Sequence, residues 1–387
     1  MKEETVTPFQ RCHYEPCCFT HFVDSDGADD DQSPVRIVLM IYVDDGQTWD
    51  NCSEVCDAFY ERLTTRFSTT VGGGGMSYML GTDIAMGEGW LRISSSTYIL
   101  NLCQRWLPHP IEEYDHVATP YHPKLAEFFE AAFLLRGNTP PELGTRYRSL
   151  VGGEIFPLPF TRPDCLYVGG LHARAMDFAT EDLFKTALYF LVYLGQTHKQ
   201  GITYTREGVG ASEYVHWSDS DWAVRRSTTG GTGQLALGSL IATSRKQDCI
   251  TGSSTHAEIV AVSTNSNDVL WTRGYLWEIG YRVVMETPTR LMVDAQNVLT
   301  LTHNLISSKL SRHITRRELI VREREVEGHH EVTKCDTSDN LADLLTKALD
   351  PIPFDKLRRL VLNILAVGAI YPVPRARRIA TKAWRNV

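Results

Sequence analysis

Carboxylates at four places, each where an apolar run ends or a helix begins, constrain this chain more than any other feature. Asp219 and Asp221 close the apolar lead of YVHWSDSDWA, and Glu258 sits in the helix opened by Ser253-Ser254-Thr255. Asp294 ends LMVD, and Asp343 lies in the first turn of DNLADLLTKAL. Between the first two of these segments the pattern predicts a Gly-rich turn and two β-like runs, Gln234–Leu240 and Ile241–Lys246. In a β-β-β-α-β-α order such ends converge on one edge of a sheet. Like charges gathered there repel and raise one another's pKa. Cations make the arrangement tolerable, and hard oxygen ligands suit Mg²⁺ (or Mn²⁺). Two such ions roughly 4 Å apart clamp both oxygens of an in-line phosphodiester displacement. The residues therefore point to an α/β fold and to metal-assisted phosphodiester hydrolysis.

Each carboxylate also has a local reading. Asp219 and Asp221 are two apart, so on a strand they share a face, and one of them is peripheral to a metal. Thr255-x-x-Glu258 has the spacing of a capping box, in which the glutamate bonds back to the cap residue. Asp294 would be costly to bury unpaired, yet it also suits a cap for the next helix. Asp343 follows Asn340 in a first turn, where the helix dipole favours any acid.

A length of 387 residues predicts two or three domains, and 43% hydrophobic content is ample for buried cores. The net charge of −8 gives no global attraction to nucleic acid, so binding has to come from local basic patches. Arg245, Lys246, Arg312, Arg316 and Arg317 are candidates for phosphate contacts, and each also reads as a solvated surface charge. Nine cysteines, an odd number without framework spacing, predict a reducing compartment. No CxxC pair occurs, which argues against zinc. The first residues are polar and charged, so no secretory leader is expected. The longest apolar run, Leu360–Tyr371, is too short for a bilayer core of about 30 Å.

Upstream, Asp24–Gln32 reads as an acidic loop and Val35–Val43 as a buried strand ending in Tyr42-Val43-Asp44-Asp45. That end suits a turn holding metal ligands, and equally an Asp-Gly hairpin turn. A helix is predicted over Glu54–Phe67, hairpin strands over Met76–Ala85 and Trp90–Ile93, and a helix over Ser96–Trp106. A soft boundary falls at Thr119–Pro123, and helices follow to about Gly195. Arg162 suits either a nucleic-acid backbone contact or a salt bridge at a helix start. Strands Gly201–Tyr204 and Tyr214–Ser218 open the next domain. The long helix Thr255–Ile279, strand Arg290–Val293, helix Ala295–Asn304, a helix over about 314–327, strand Glu331–Cys335 and helix Leu341–Leu349 follow. Trp222, Trp271 and Trp277 are expected in cores. Of His313, His329 and His330, the last two follow Gly328 and are expected in an exposed turn.

An ordered series of motifs adds to this: IVLMIYVDD, YMLGTDI, TPYHPKL, YRSLVGG, TRPDCLYVGG, WSDSDWA, RRSTTGG, SRKQDCITGSSTHAEIVAVS, LWTRGYLWEIGY, VDAQNVLTL, SKLSRHI and DNLADLLTKAL. In this order they resemble the C-terminal part of the Pol polyprotein of copia-type LTR retrotransposons, covering reverse transcriptase and RNase H. The resemblance implies an α+β palm fragment over 1–120, thumb and connection helices over 121–200, an RNase H-like mixed sheet flanked by helices over 201–350, and a helix with a basic tail over 351–387. It implies that Asp44 and Asp45 are the paired polymerase aspartates. It likewise implies that Asp219, Glu258, Asp294 and Asp343 hold Mg²⁺ or Mn²⁺ for cleavage of the RNA strand of an RNA–DNA hybrid. Template-primer nucleic acid and the remainder of the polyprotein are the implied partners. The implied setting is intracellular, in cytoplasmic virus-like particles or the nucleus, with no membrane.

The sequence also departs from the family pattern. Only about forty residues precede Asp44, and they supply no third palm aspartate. Polymerase activity is therefore expected to be lost, or to depend on a missing N-terminal part. Thr315-Arg316-Arg317-Glu318 replaces the usual segment after SRHI. The alternative expectation is a catalytically inactive nucleic-acid-binding remnant.

Overall fold

The structure is a computed structural model that describes residues 9–23, 35–43, 45–67, 77–222, 226–303 and 315–364. Asp44, the acidic loop, Arg312, His313, the side chain of Arg316 and the basic tail lie outside the described residues. The chain forms two compact units, residues 1–75 with 267–288, and residues 76–266 with 289–387.

The smaller unit is built on strands β1 (Gln10–Arg11), β2 (Cys18–Val23), β3 (Val35–Tyr42) and β4 (Asp45–Asp50), antiparallel in that order. The expected strand Val35–Val43 is β3, but it is not the buried strand expected: among its described side chains only Ile37 is buried, and Ile41 and Tyr42 are 40% and 56% exposed. Its hairpin closes with Val43 at φ 57°, and Tyr42 faces Asp45 across the turn. The helix Ser53–Arg66 is tied to β4 by the Tyr60 hydroxyl, 2.6 Å from Thr48 Oγ1. Glu278 accepts from the backbone N–H groups of His13 and Tyr14 at 2.9 and 3.1 Å. Trp271 and Trp277 are 40% and 51% exposed, not core as expected. The indole N–H of Trp271 donates to the Tyr14 carbonyl at 3.2 Å, so this ring anchors one edge and leaves a face to water.

The larger unit carries two sheets. Strands β5 (Tyr78–Met79), β6 (Thr82–Gly87), β7 (Trp90–Ser94) and β8 (Gly201–Thr205) form an antiparallel sheet in that order. The segment expected to open the next sheet is thus β8, paired with β7 instead. A five-stranded sheet follows, with β9 (Val215–Ser220), β10 (Thr228–Leu235), β11 (Gly238–Lys246), β12 (Thr289–Val293) and β13 (His330–Lys334). Its order is β11-β10-β9-β12-β13; the first three are antiparallel, and β12 runs parallel to both β9 and β13. Helices Ser254–Glu278, Gln296–His303 and Thr315–Val326 complete the β-β-β-α-β-α-α-β pattern. The fold is α/β, with the mixed, helix-flanked sheet that the resemblance implies.

The Gly-rich stretch expected as a turn lies inside β10. A Cβ on Gly231 would sit 1.8 Å from Asn265 Oδ1, and one on Gly233 would sit 2.4 Å from the Tyr214 hydroxyl. On Gly230 it would meet Thr346 Cγ2 at 2.6 Å. The glycines are there because other groups press directly on the strand backbone. The turn falls instead at Ala236-Leu237, both with positive φ.

One buried cluster joins Ile99, Tyr147, Leu150, Phe190 and Leu194 of the helical segments to Leu341, Leu345 and Phe354. A second, with Ile259, Val262, Leu291, Val293 and Val332, lies between helix and five-stranded sheet. The first cluster contains an anomaly. Glu154, in helix Pro141–Ile155, is 0% exposed, and neither carboxylate oxygen has a hydrogen-bond partner. Burial drives its pKa well up, so it is held as the neutral acid.

Two predictions follow from these contacts. Gly231→Ala displaces Asn265, whose amide donates to Ser218 Oγ at 2.8 Å and Gly230 O at 2.9 Å, and should cost about 3 kcal/mol or more by denaturant unfolding. Glu154→Leu should stabilise by about 1–3 kcal/mol. Because the folded pKa of Glu154 is raised, the wild type is most stable below the unfolded carboxyl pKa of about 4.3 and loses stability as pH rises above it. The advantage of Glu154→Leu should therefore widen from pH 4 to pH 8; a constant difference would show that Glu154 is not held neutral.

Candidate metal centre

Strand pairing sets the first two carboxylates side by side. β9 and β12 are parallel, with Met292 opposite Trp217. Continuing that register by two residues brings Asp294 level with Asp219. On its other side Asp219 faces Gly230 of β10. Asp343 arrives on a 3₁₀ turn, Leu341–Leu345, shorter than the expected helix Leu341–Leu349. Asn340 caps this turn by accepting from Ala342 N at 3.2 Å, and its amide donates to Ser218 O in β9 at 3.3 Å. Leu341, Leu344 and Leu345 are buried beneath it and hold the turn against the sheet. As a result, one carboxylate oxygen from each of Asp219, Asp294 and Asp343 lies within 4.8 Å of the others.

Glu258 joins them from the helix Ser254–Glu278. The capping box that its spacing also allowed does not form. Ser253 is the cap, its hydroxyl accepting from His256 N at 3.1 Å, which leaves Glu258 one turn further on with its side chain released. Its Oε2 is buried without a hydrogen-bond partner. Burial, and then the charges of Asp219 and Asp294, push its carboxyl up to about 9. Burial and the Asp219 charge push Asp343 up to about 7. Asp221 stands apart, accepting from Thr228 N where β9 meets β10.

Lys347 and Thr346 belong to the site and were not singled out from the sequence. Lys347 Nζ lies 2.7 Å from Asp343 Oδ1 and 3.2 Å from Asp219 Oδ2, and the Thr346 hydroxyl donates to Asp219. The signal was present in the i, i+4 spacing of Asp343 and Lys347 within DLLTK.

Other sequence candidates sit elsewhere. Asp45 is exposed at the start of β4 in the smaller unit. Arg162 is fully buried and bonds both oxygens of Asp164 at 2.9 Å, so the salt-bridge reading holds and the nucleic-acid contact does not. His330 is buried on Ser266 Oγ at 2.8 Å, not in an exposed turn, because it is the first residue of β13. Trp222 is 62% exposed instead of in a core, since the chain has left β9 by that point.

The donor set fits a hard divalent cation. It is made of carboxylate oxygens from two strand ends, a 3₁₀ turn and a helix, partly buried, with one buried oxygen lacking any partner. Burying an ionised carboxylate without a counter-charge is costly, and the raised values of Glu258 and Asp343 express that cost.

No protein-family model matches the chain. The retrovirus-related Pol polyprotein from transposon RE2 of Arabidopsis thaliana is 29% identical over 329 residues, covering 84% of this chain and 21% of the relative. The chain thus spans about a fifth of the length of the curated Pol relatives it matches. The secreted RxLR effector protein 161 of Plasmopara viticola is 31% identical over 129 residues, covering 32% of this chain and 89% of that protein. Among solved structures, the N-terminal RNase H domain of Rv2228c from Mycobacterium tuberculosis, fused to maltose-binding protein, has 12% identity and covers 38% of this chain and 96% of that one. Its TM-score of 0.27 is too low to bear on the fold.

The raised carboxyls fix the sign of a pH effect. Each contributes stability fully present below its unfolded pKa and lost as pH rises through its folded value. In chelator, the melting midpoint should therefore fall as pH rises from about 4 toward 7 for Asp343 and toward 9 for Glu258. Glu258→Gln should flatten the upper part of that fall in differential scanning calorimetry. An unchanged slope would remove Glu258 from the cluster.

Proposed function

We propose that the chain, which is similar to the retrovirus-related Pol polyproteins of plant transposons, derives from the copia-type Pol family, and that its acidic notch is the centre of an RNase H-type endoribonuclease that cuts the RNA strand of an RNA–DNA hybrid. The observation that carries the reading is the meeting of Asp219, Asp294 and Asp343 at one sheet edge, with the unpartnered Oε2 of Glu258 beside them. In this reading these four side chains hold Mg²⁺ or Mn²⁺. Divalent ions held there supply charge stabilisation at the phosphate and lower the pKa of an attacking water.

The chain's own residues supply the positioning. Two adjacent parallel strands and a capped 3₁₀ turn fix three of the acids to backbone that is itself hydrogen-bonded on both sides. Such fixed placement is what aligns a phosphodiester for in-line attack. Selection of the RNA strand is proposed to rest on the backbone shape of the hybrid and on its 2′-hydroxyls. The domain boundaries remain part of the proposal: a partial palm over 1–120, thumb and connection helices over 121–200, the nuclease over 201–350, and a C-terminal helix and tail over 351–387. Asp45, together with Asp44, is assigned to the polymerase hairpin in the same spirit, with activity that depends on the rest of the polyprotein. The remainder of that polyprotein and template-primer nucleic acid are the proposed partners. Among the described residues no helix is long and apolar enough to cross a membrane.

The test uses the full chain with a hybrid whose RNA strand carries the label. Mg²⁺-dependent cleavage is expected, with at least about a hundredfold loss in Asp294→Asn. A folded wild-type chain that leaves the hybrid intact would sink the nuclease reading.

A further inference from the structure

The notch holds a cation of its own. Lys347 Nζ bridges Asp343 Oδ1 at 2.7 Å and Asp219 Oδ2 at 3.2 Å, two of the three acids that meet there. Asp219 is 1% exposed, so this ammonium is placed against a carboxylate that water barely reaches. The lysine side chain itself is 37% exposed, and its four-carbon stem leaves it a route outward. Its backbone N–H also bonds Asp343 O at 3.0 Å, so the main chain stays anchored when the ammonium moves.

We propose that Lys347 is an exchangeable counter-cation of the acidic notch, neutralising Asp219 and Asp343 until a divalent ion takes its place. The inference rests on the metal-holding role of the four acids proposed above. A buried carboxylate pair without any cation is strongly destabilised, so the lysine lets the fold close before metal is present. The same positive charge opposes an arriving cation, because both seek the same oxygens. Lys347 is thus a positioning residue with two opposed effects, one on the metal-free fold and one on affinity. A role limited to packing would have only the first.

The experiment uses the full chain, with Mn²⁺ as the probe in calorimetric titration and melting curves in chelator. Lys347→Met keeps an unbranched, flexible stem one atom shorter and removes the charge. Its melting midpoint in chelator should fall, while its Mn²⁺ dissociation constant should drop by about tenfold, the effect of about one pKa unit's worth of like charge. Lys347→Gln, neutral but still a hydrogen-bond donor, should show the same tighter binding and provides the measurement if Lys347→Met does not fold. Lys347→Arg should bind Mn²⁺ like the wild type. Unchanged or weaker Mn²⁺ binding by the folded neutral variants overturns the lysine's role, provided that the wild type binds and Asp294→Asn does not. No Mn²⁺ binding by the wild type, or equal binding by Asp294→Asn, overturns the metal reading beneath it and this inference with it.

Discussion

Mutual repulsion among acidic side chains at one sheet edge is the constraint from which much of the larger unit follows. Asp219 and Asp294 are brought level by the parallel pairing of β9 and β12. That pairing needs a crossover, which the helix Ser254–Glu278 supplies while delivering Glu258. Asp343 has to approach from a different direction, and a 3₁₀ turn capped by Asn340 provides it. The repulsion is offset locally by Lys347 and by the protonation of Glu258 and Asp343 that burial favours. Gathered acids of this kind carry unfavourable charge, and the surrounding scaffold has to be rigid enough to bear it.

That rigidity comes partly from what is absent at β10. With hydrogen atoms in place of side chains at Gly230, Gly231 and Gly233, the Asn265 amide reaches Gly230 O and Ser218 Oγ, and the turn bearing Thr346 presses against the strand. Close approach of this sort joins sheet, helix and turn through backbone groups that cannot change rotamer. The Asn340 bond to Ser218 O does the same from the other side.

Much of this was legible in the sequence. The ends of the apolar runs located Asp219 and Asp294, because a period-2 pattern terminated by an acid marks a strand end whatever the tertiary context. The long helix and β12 and β13 fell within a residue or two of their predicted limits. Among the features that escaped, three show the physical reasons. The glycines of β10 read as a turn, since local propensity cannot register a neighbour pressing on the backbone. The cap at Ser253 rather than Thr255 depended on competition among three adjacent hydroxyl residues, which spacing alone does not resolve. The burial of His330 and the exposure of Trp222 were set by where strands begin and end, the least certain part of any pattern reading.

The leucines under the Asp343 turn belong to the same apolar cluster as Tyr147, Phe190 and Leu194 far upstream. The acid that completes the notch is therefore carried by a core whose other half is contributed by the segment assigned to thumb and connection. Motif boundaries and folding boundaries need not coincide in such a chain. Erosion of the upstream helices, even at positions remote from any of the four acids, would loosen one wall of the acidic notch, so decay in one half of the molecule is inherited by the other.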